Sequence, residues 1–208
     1  MRLKAIIIAA LLPSGALAQG AGQSAPPMPE DPRAPRYAEV ERGLFTNFEV
    51  GWLQLFKTPV ADVKKFPFAA AGGGSAGGFL VGASVGYDLT RHIALSVYGL
   101  GGNLRGNISY GAFSVFSAGG DLRASLIGAR DRNEVERFYV YLHARGGLLV
   151  TQPTGLFGSD DVYLAGGPGI EYFTRLRHFS VGAAVDYAYV VKAKAPGLSV
   201  VPTVRYTF

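Results

Sequence analysis

The 208-residue chain is predicted to be all-β, folded as an eight-stranded antiparallel transmembrane up-and-down β-barrel. Three observations carry that reading. Eight segments alternate apolar with polar or small residues at period two, as strands with unlike faces do. The charged residues of those segments share one parity. The longest apolar run, residues 5–12, lies at the N-terminus and is far below the roughly 18 residues that span a bilayer as a helix. Composition agrees: 49% of residues are hydrophobic, which argues against a disordered chain, and the 29 glycines follow no collagen-like period. Absence of cysteine excludes disulfides, thiolate metal sites and a cysteine nucleophile. A formal net charge of +5 without a basic run argues against a nucleic-acid partner.

The N-terminus has the layout of a secretory signal peptide. Arg2 and Lys4 precede the apolar run, and Ala16, Leu17 and Ala18 fit the small-residue cleavage rule, so residues 1–18 are expected to be removed after Ala18. Residues 19–42, with Pro26, Pro27, Pro29, Pro32 and Pro35, read as a disordered periplasmic tail. Residues 43–208 are the barrel. No apolar helix of membrane length follows the leader, so entry into a membrane requires a closed sheet.

The strands follow in order. Residues 43–56 place Leu44, Phe48, Val50, Trp52 and Phe56 opposite Asn47, Glu49 and Gly51. Residues 78–89 set Phe79, Val81, Val85 and Tyr87 against Gly82, Ser84, Gly86 and Asp88, and a turn at 90–92 leads to Ile93, Leu95 and Val97. These two form a hairpin. The fourth segment, 112–126, opposes Phe116, Leu122 and Leu126 to Ser117, Asp121 and Arg123. A polar connection at 128–136 leads to a fifth, where Phe138, Val140, Leu142 and Leu148 alternate with Tyr139, Tyr141, His143 and Arg145. The sixth, 162–174, carries Leu164, Ile170 and Tyr172 against Gly167, Gly169 and Glu171; the seventh sets Phe179, Val181 and Val185 against Ser180, Gly182 and Asp186. The last opposes Leu198, Val200, Val204, Tyr206 and Phe208 to Ser199, Thr203 and Arg205. Pro168 and Pro202 fall inside strands, where a bulge or a strand end would accommodate them.

Charge placement decides which face meets lipid. Glu49, Asp88, Asp121, Arg123, Arg145, Glu171, Asp186 and Arg205 lie on the parity opposite the large apolar residues, together with His143. A soluble barrel would show the reverse. These groups are expected to form a mutually neutralising lumen network, with Glu49 and Arg205 on adjacent strands as one pair; a narrow pore for ions, protons or small solutes is the functional alternative. Glycines on the inward parity leave room for the large lumen side chains.

The leader, the short turn at 88–92 alternating with longer loops, and the C-terminal strand with Val204, Tyr206 and Phe208 on one face resemble the small outer-membrane barrels of Gram-negative bacteria, of the OmpA and OmpX type. The resemblance covers about residues 43–208. It implies residence in the cell outer membrane, with Val204, Tyr206 and Phe208 as the signal read by the barrel-assembly machinery. The tail, the start Glu41, Arg42, Gly43, Leu44, Phe45 and the glycine-rich first loop also resemble barrels of adventurous gliding motility in myxobacteria. That likeness implies a non-enzymatic envelope component that works with motility or adhesion proteins.

Beyond the leader, lysine occurs only as Lys57, Lys64, Lys65, Lys192 and Lys194, in two connections that become neighbours when the barrel closes. Lysine collects where water is; alternatively these residues, with Phe66 and Phe68, form an outer-loop contact surface for lipopolysaccharide phosphates or an acidic partner. His178 and Ser180, two apart, resemble the His-x-Ser arrangement of lipid A deacylases, which offers an enzymatic alternative. His92, His143 and His178 are too widely spaced for a metal motif, and no cofactor motif is present.

Overall fold

The computed structural model describes residues 40–57, 74–106, 111–131, 135–154, 156–157, 160–176 and 178–208. The leader, most of the tail, and Lys64, Lys65, Phe66 and Phe68 lie outside the described residues. Eight strands follow one another: β1 (Leu44–Leu55), β2 (Ala76–Asp88), β3 (Ile93–Gly106), β4 (Ala112–Arg130), β5 (Glu136–Gln152), β6 (Asp161–Phe173), β7 (Phe179–Val190) and β8 (Ala195–Thr207). Each pairs antiparallel with the next, and β8 returns to β1, closing the barrel. The short connections β2–β3, β4–β5 and β6–β7 share one end with the chain termini of the barrel. The remaining four connections share the other, here called the loop end.

Alternation along each strand sorts the side chains as period two requires. Phe48, Trp52, Phe79, Val97, Leu122, Leu148, Val185 and Val200 are exposed, whereas their sequence neighbours are buried or half-buried. Large apolar side chains ring the whole barrel. Water would not tolerate so continuous an apolar surface; lipid requires it. The barrel therefore spans a membrane. One outward charge had not been foreseen: β3 runs on to Gly106 and puts Arg105 on the exposed face, at the loop-end rim, where a charge costs little.

The strands also overrun the polar connection expected at 128–136, since β4 continues to Arg130 and β5 begins at Glu136. A register shift between Ser125 and Ile127 marks a bulge that leaves Leu126 and Ile127 both facing out. The prolines are accommodated differently from expectation. Register is the same on either side of Pro168 (Gly166 opposite Tyr187, Gly169 opposite Ala184) and of Pro202 (Glu49 opposite Thr203, Trp52 opposite Val200). Neither a bulge nor a strand end is present. The strands run through and only the rungs beside each ring are missing, on one side, because proline lacks just the one donor that would face that neighbour.

Candidate functional site: the lumen

Inside the barrel the two halves differ. The loop-end half is apolar: Leu53, Leu55, Leu80, Leu100, Leu104, Phe113, Val115, Leu149 and Val190 form one buried cluster. Two residues of the β5–β6 connection, Leu156 and Phe157, fold into it, and the Phe157 ring meets Phe113 edge-on at 5.7 Å. The polar parity of the sequence did not announce this half, because inward Leu and Val on strands whose outward faces are also apolar read as uninterrupted hydrophobic runs.

The other half holds the whole of the predicted charge network. Arg145 donates from Nη1 and Nη2 to the two carboxylate oxygens of Glu49, at 2.8 and 3.1 Å, a bidentate pair between β5 and β1 on opposite walls. Its Nε lies 3.1 Å from Asp121. His143 faces a carboxylate with each ring nitrogen, Asp121 at 3.2 Å and Asp186 at 2.6 Å, and the Ser199 hydroxyl donates to Asp186 at 3.3 Å. Arg123 pairs with Glu171 and stacks 3.8 Å above the Tyr141 ring; Arg205 pairs with Asp88 and stacks 3.7 Å above Phe45. The predicted Glu49–Arg205 pair does not form. Cross-strand register sets Thr203 opposite Glu49 and Asn47 opposite Arg205. The long arginines instead reach across the narrow lumen, linking β5 to β1, β4 to β6 and β8 to β2.

Two inward glycines show why the residue is needed here. A Cβ on Gly82 would sit 2.7 Å from Glu49 Oε1, and one on Gly147 would sit 2.7 Å from the Tyr98 hydroxyl. What space remains among Tyr98, Asp121, Arg123, His143, Arg145 and Arg205 is a cavity of about 50 Å³. That is room for a few water molecules and no solute. Arg42 closes the terminal end. It donates to the Arg91 carbonyl at 2.6 Å and the Tyr139 hydroxyl at 2.8 Å, and its guanidinium lies 5.2 Å from the centre of the Tyr139 ring. Neither Arg42 nor Asp161, which accepts from the Lys192 and Ala193 amides at 2.7 and 2.8 Å, carried a sequence signal.

The remaining candidates separate. Ser180 is buried and donates to Glu171 at 2.7 Å, whereas His178 lies in the β6–β7 turn, 2.6 Å from Glu41 and against the Tyr206 ring. They do not share a site: Ser180 faces the lumen from β7, and His178 precedes that strand. Lys57, Lys192 and Lys194 are exposed at the loop end, and the Phe56 amide donates to the Pro196 carbonyl at 2.8 Å, which draws the two connections side by side. Val204 and Phe208 are exposed on the lipid face and Tyr206 is half-buried between them; Phe208 and Phe179 each meet Tyr206 edge-on at 5.0 Å.

No family model and no curated protein matches the chain. Solved structures do. Neisserial surface protein A is 19% identical, with a TM-score of 0.59 over 80% of this chain and 97% of that one. The outer membrane protein OprG from Pseudomonas aeruginosa is 13% identical, with a TM-score of 0.47 over 81% and 95%. The likeness to Neisserial surface protein A is one of fold. It matches the architecture implied by the resemblance to small outer-membrane barrels.

Proposed function

We propose that this chain is a non-enzymatic outer-membrane barrel, a structural and interaction component of the envelope that works through its exposed ends and not through its lumen. The observation that supports this best is the doubly closed interior: an apolar cluster at the loop end and a paired charge network beneath it, with space only for water. With the termini in the periplasm, Lys57, Lys192 and Lys194 stand on the outer rim, suited to lipopolysaccharide phosphates. Planar-bilayer recording of the refolded barrel tests the reading. No unitary conductance above the lipid background is expected; a steady conductance altered by Arg145→Met would replace this reading with a narrow pore. The finer role we infer, from the likeness of residues 41–45 and of the glycine-rich first loop to gliding barrels, is service in surface movement alongside motility or adhesion proteins. A deletion strain should lose single-cell movement while its envelope stays intact, and normal movement would defeat that role.

A further inference from the structure

The register leaves the terminal-end stretch of β4 without a partner on its β3 side among the described residues. β3 begins at Ile93, opposite Ala124, while β4 runs on to Arg130, so residues 126–130 extend past the last rung that β3 supplies. The Ser125 amide still donates to the His92 carbonyl at 2.7 Å, and beyond it no described residue pairs with β4 on that side. Past the bulge, β5 pairs with the other side from Ile127 to Arg130, with a second register shift at Ala129/Arg130, and holds the projecting segment extended. All of it is exposed, Ile127 at 66%. Unpaired strand edges are templates for another strand unless they are short, covered or charged against it. Among the described residues of this corner three arginines meet two carboxylates: Arg91 and Arg130, both largely exposed, share Glu136, and Arg137 pairs with Asp131, which leaves an excess of positive charge.

We propose that residues 126–130 of β4 are a docking edge at the terminal end of the barrel, where an extended acidic segment of a second protein adds as a strand. Backbone hydrogen bonds to the edge supply affinity, and Arg91 and Arg130 select acidic over basic partners. The chain's own tail fits poorly, since Pro26, Pro27, Pro29, Pro32 and Pro35 break the run of donors a strand needs. If the barrel lies in the outer membrane with its termini inside, the partner is periplasmic; the edge itself does not depend on that placement.

Full-length protein in lipid nanodiscs, mixed with a synthetic heptapeptide of alternating valine and glutamate, tests the proposal by hydrogen exchange and fluorescence anisotropy. Exchange at residues 126–130 should slow on adding the peptide, while an otherwise identical lysine peptide should have no effect. Arg130→Glu should weaken acidic-peptide binding about tenfold and leave exchange in β1 and β8 unchanged. Several results would overturn the proposal: binding without protection of 126–130, equal binding of the lysine peptide, or full protection of the edge in the free protein. In the last case, protection that fades on dilution would assign the edge to a second copy, and protection lost on deleting residues 19–39 would assign it to the tail. Because the assay uses an isolated barrel, its outcome is independent of conductance or motility.

Discussion

Arg145 shows how much a single lumen side chain carries. Its guanidinium is buried between Glu49 and Asp121, so replacing it with methionine leaves the buried Glu49 carboxyl without its partner, away from water. Arg145→Met should therefore destabilise the barrel by about 3–5 kcal/mol, read as a lower urea midpoint for loss of the heat-modifiable folded band on a gel. Adding Glu49→Gln should restore part of that loss; a double variant no better than the single one would show that Glu49 is not the partner that matters. Gly169 is the complementary case. A Cβ there would run into the Tyr141 ring, so Gly169→Val should cost roughly 1–3 kcal/mol by overpacking, and Tyr141→Ala in the same chain should relieve it. The sequence foretold which residues face inward, because parity is local. It did not foretell their partners. Adjacency suggested Arg205 for Glu49, yet in a narrow closed sheet the opposite wall is within arm's length of an arginine, and β5 lies across from β1.

Among the elements, the C-terminal strand and the β5–β6 connection make separate demands. Val204, Tyr206 and Phe208 share the outward face of β8 and its end, where nothing in the lumen depends on them. If they are an assembly signal, Tyr206→Ala with Phe208→Ala should lower the amount of folded barrel in cells while leaving refolding into detergent nearly unchanged. An equal loss in both would mean that the aromatic cluster with Phe179 stabilises the barrel itself. Phe157 acts from a connection, not a strand. Its burial against Phe113 means that Phe157→Ala should cost about 3–5 kcal/mol, more than a change in an exposed loop would. Strand existence and phase were legible along the chain because lipid on one side and packed lumen on the other impose period two. The bulge after Ser125, the continuous passage through Pro168 and Pro202, and the extension of β4 to Arg130 were not, since each depends on what the neighbouring strand offers at that rung.

For the molecule as a whole, the two lumen halves act as seals in series. Phe157→Ala alone leaves the ion-pair network beneath intact, and Arg145→Ala alone leaves the apolar cluster above it. Neither variant should conduct in a planar bilayer, whereas combining them should give the first measurable current; conduction by either single variant would mean that one half suffices. What could be read from the chain alone was its class and its setting: strands with an apolar outer face, charges turned inward, glycines where the lumen is tight. Those follow from the period of a strand and from the cost of a charge in lipid, both of which act residue by residue. Closure decided the rest. Only when β8 pairs with β1 do opposite walls come within reach, so the cross-lumen ion pairs, the apolar plug capped by Leu156 and Phe157, the stopper at Arg42 and the uncovered edge of β4 exist through the register of the closed sheet and in no single stretch of sequence.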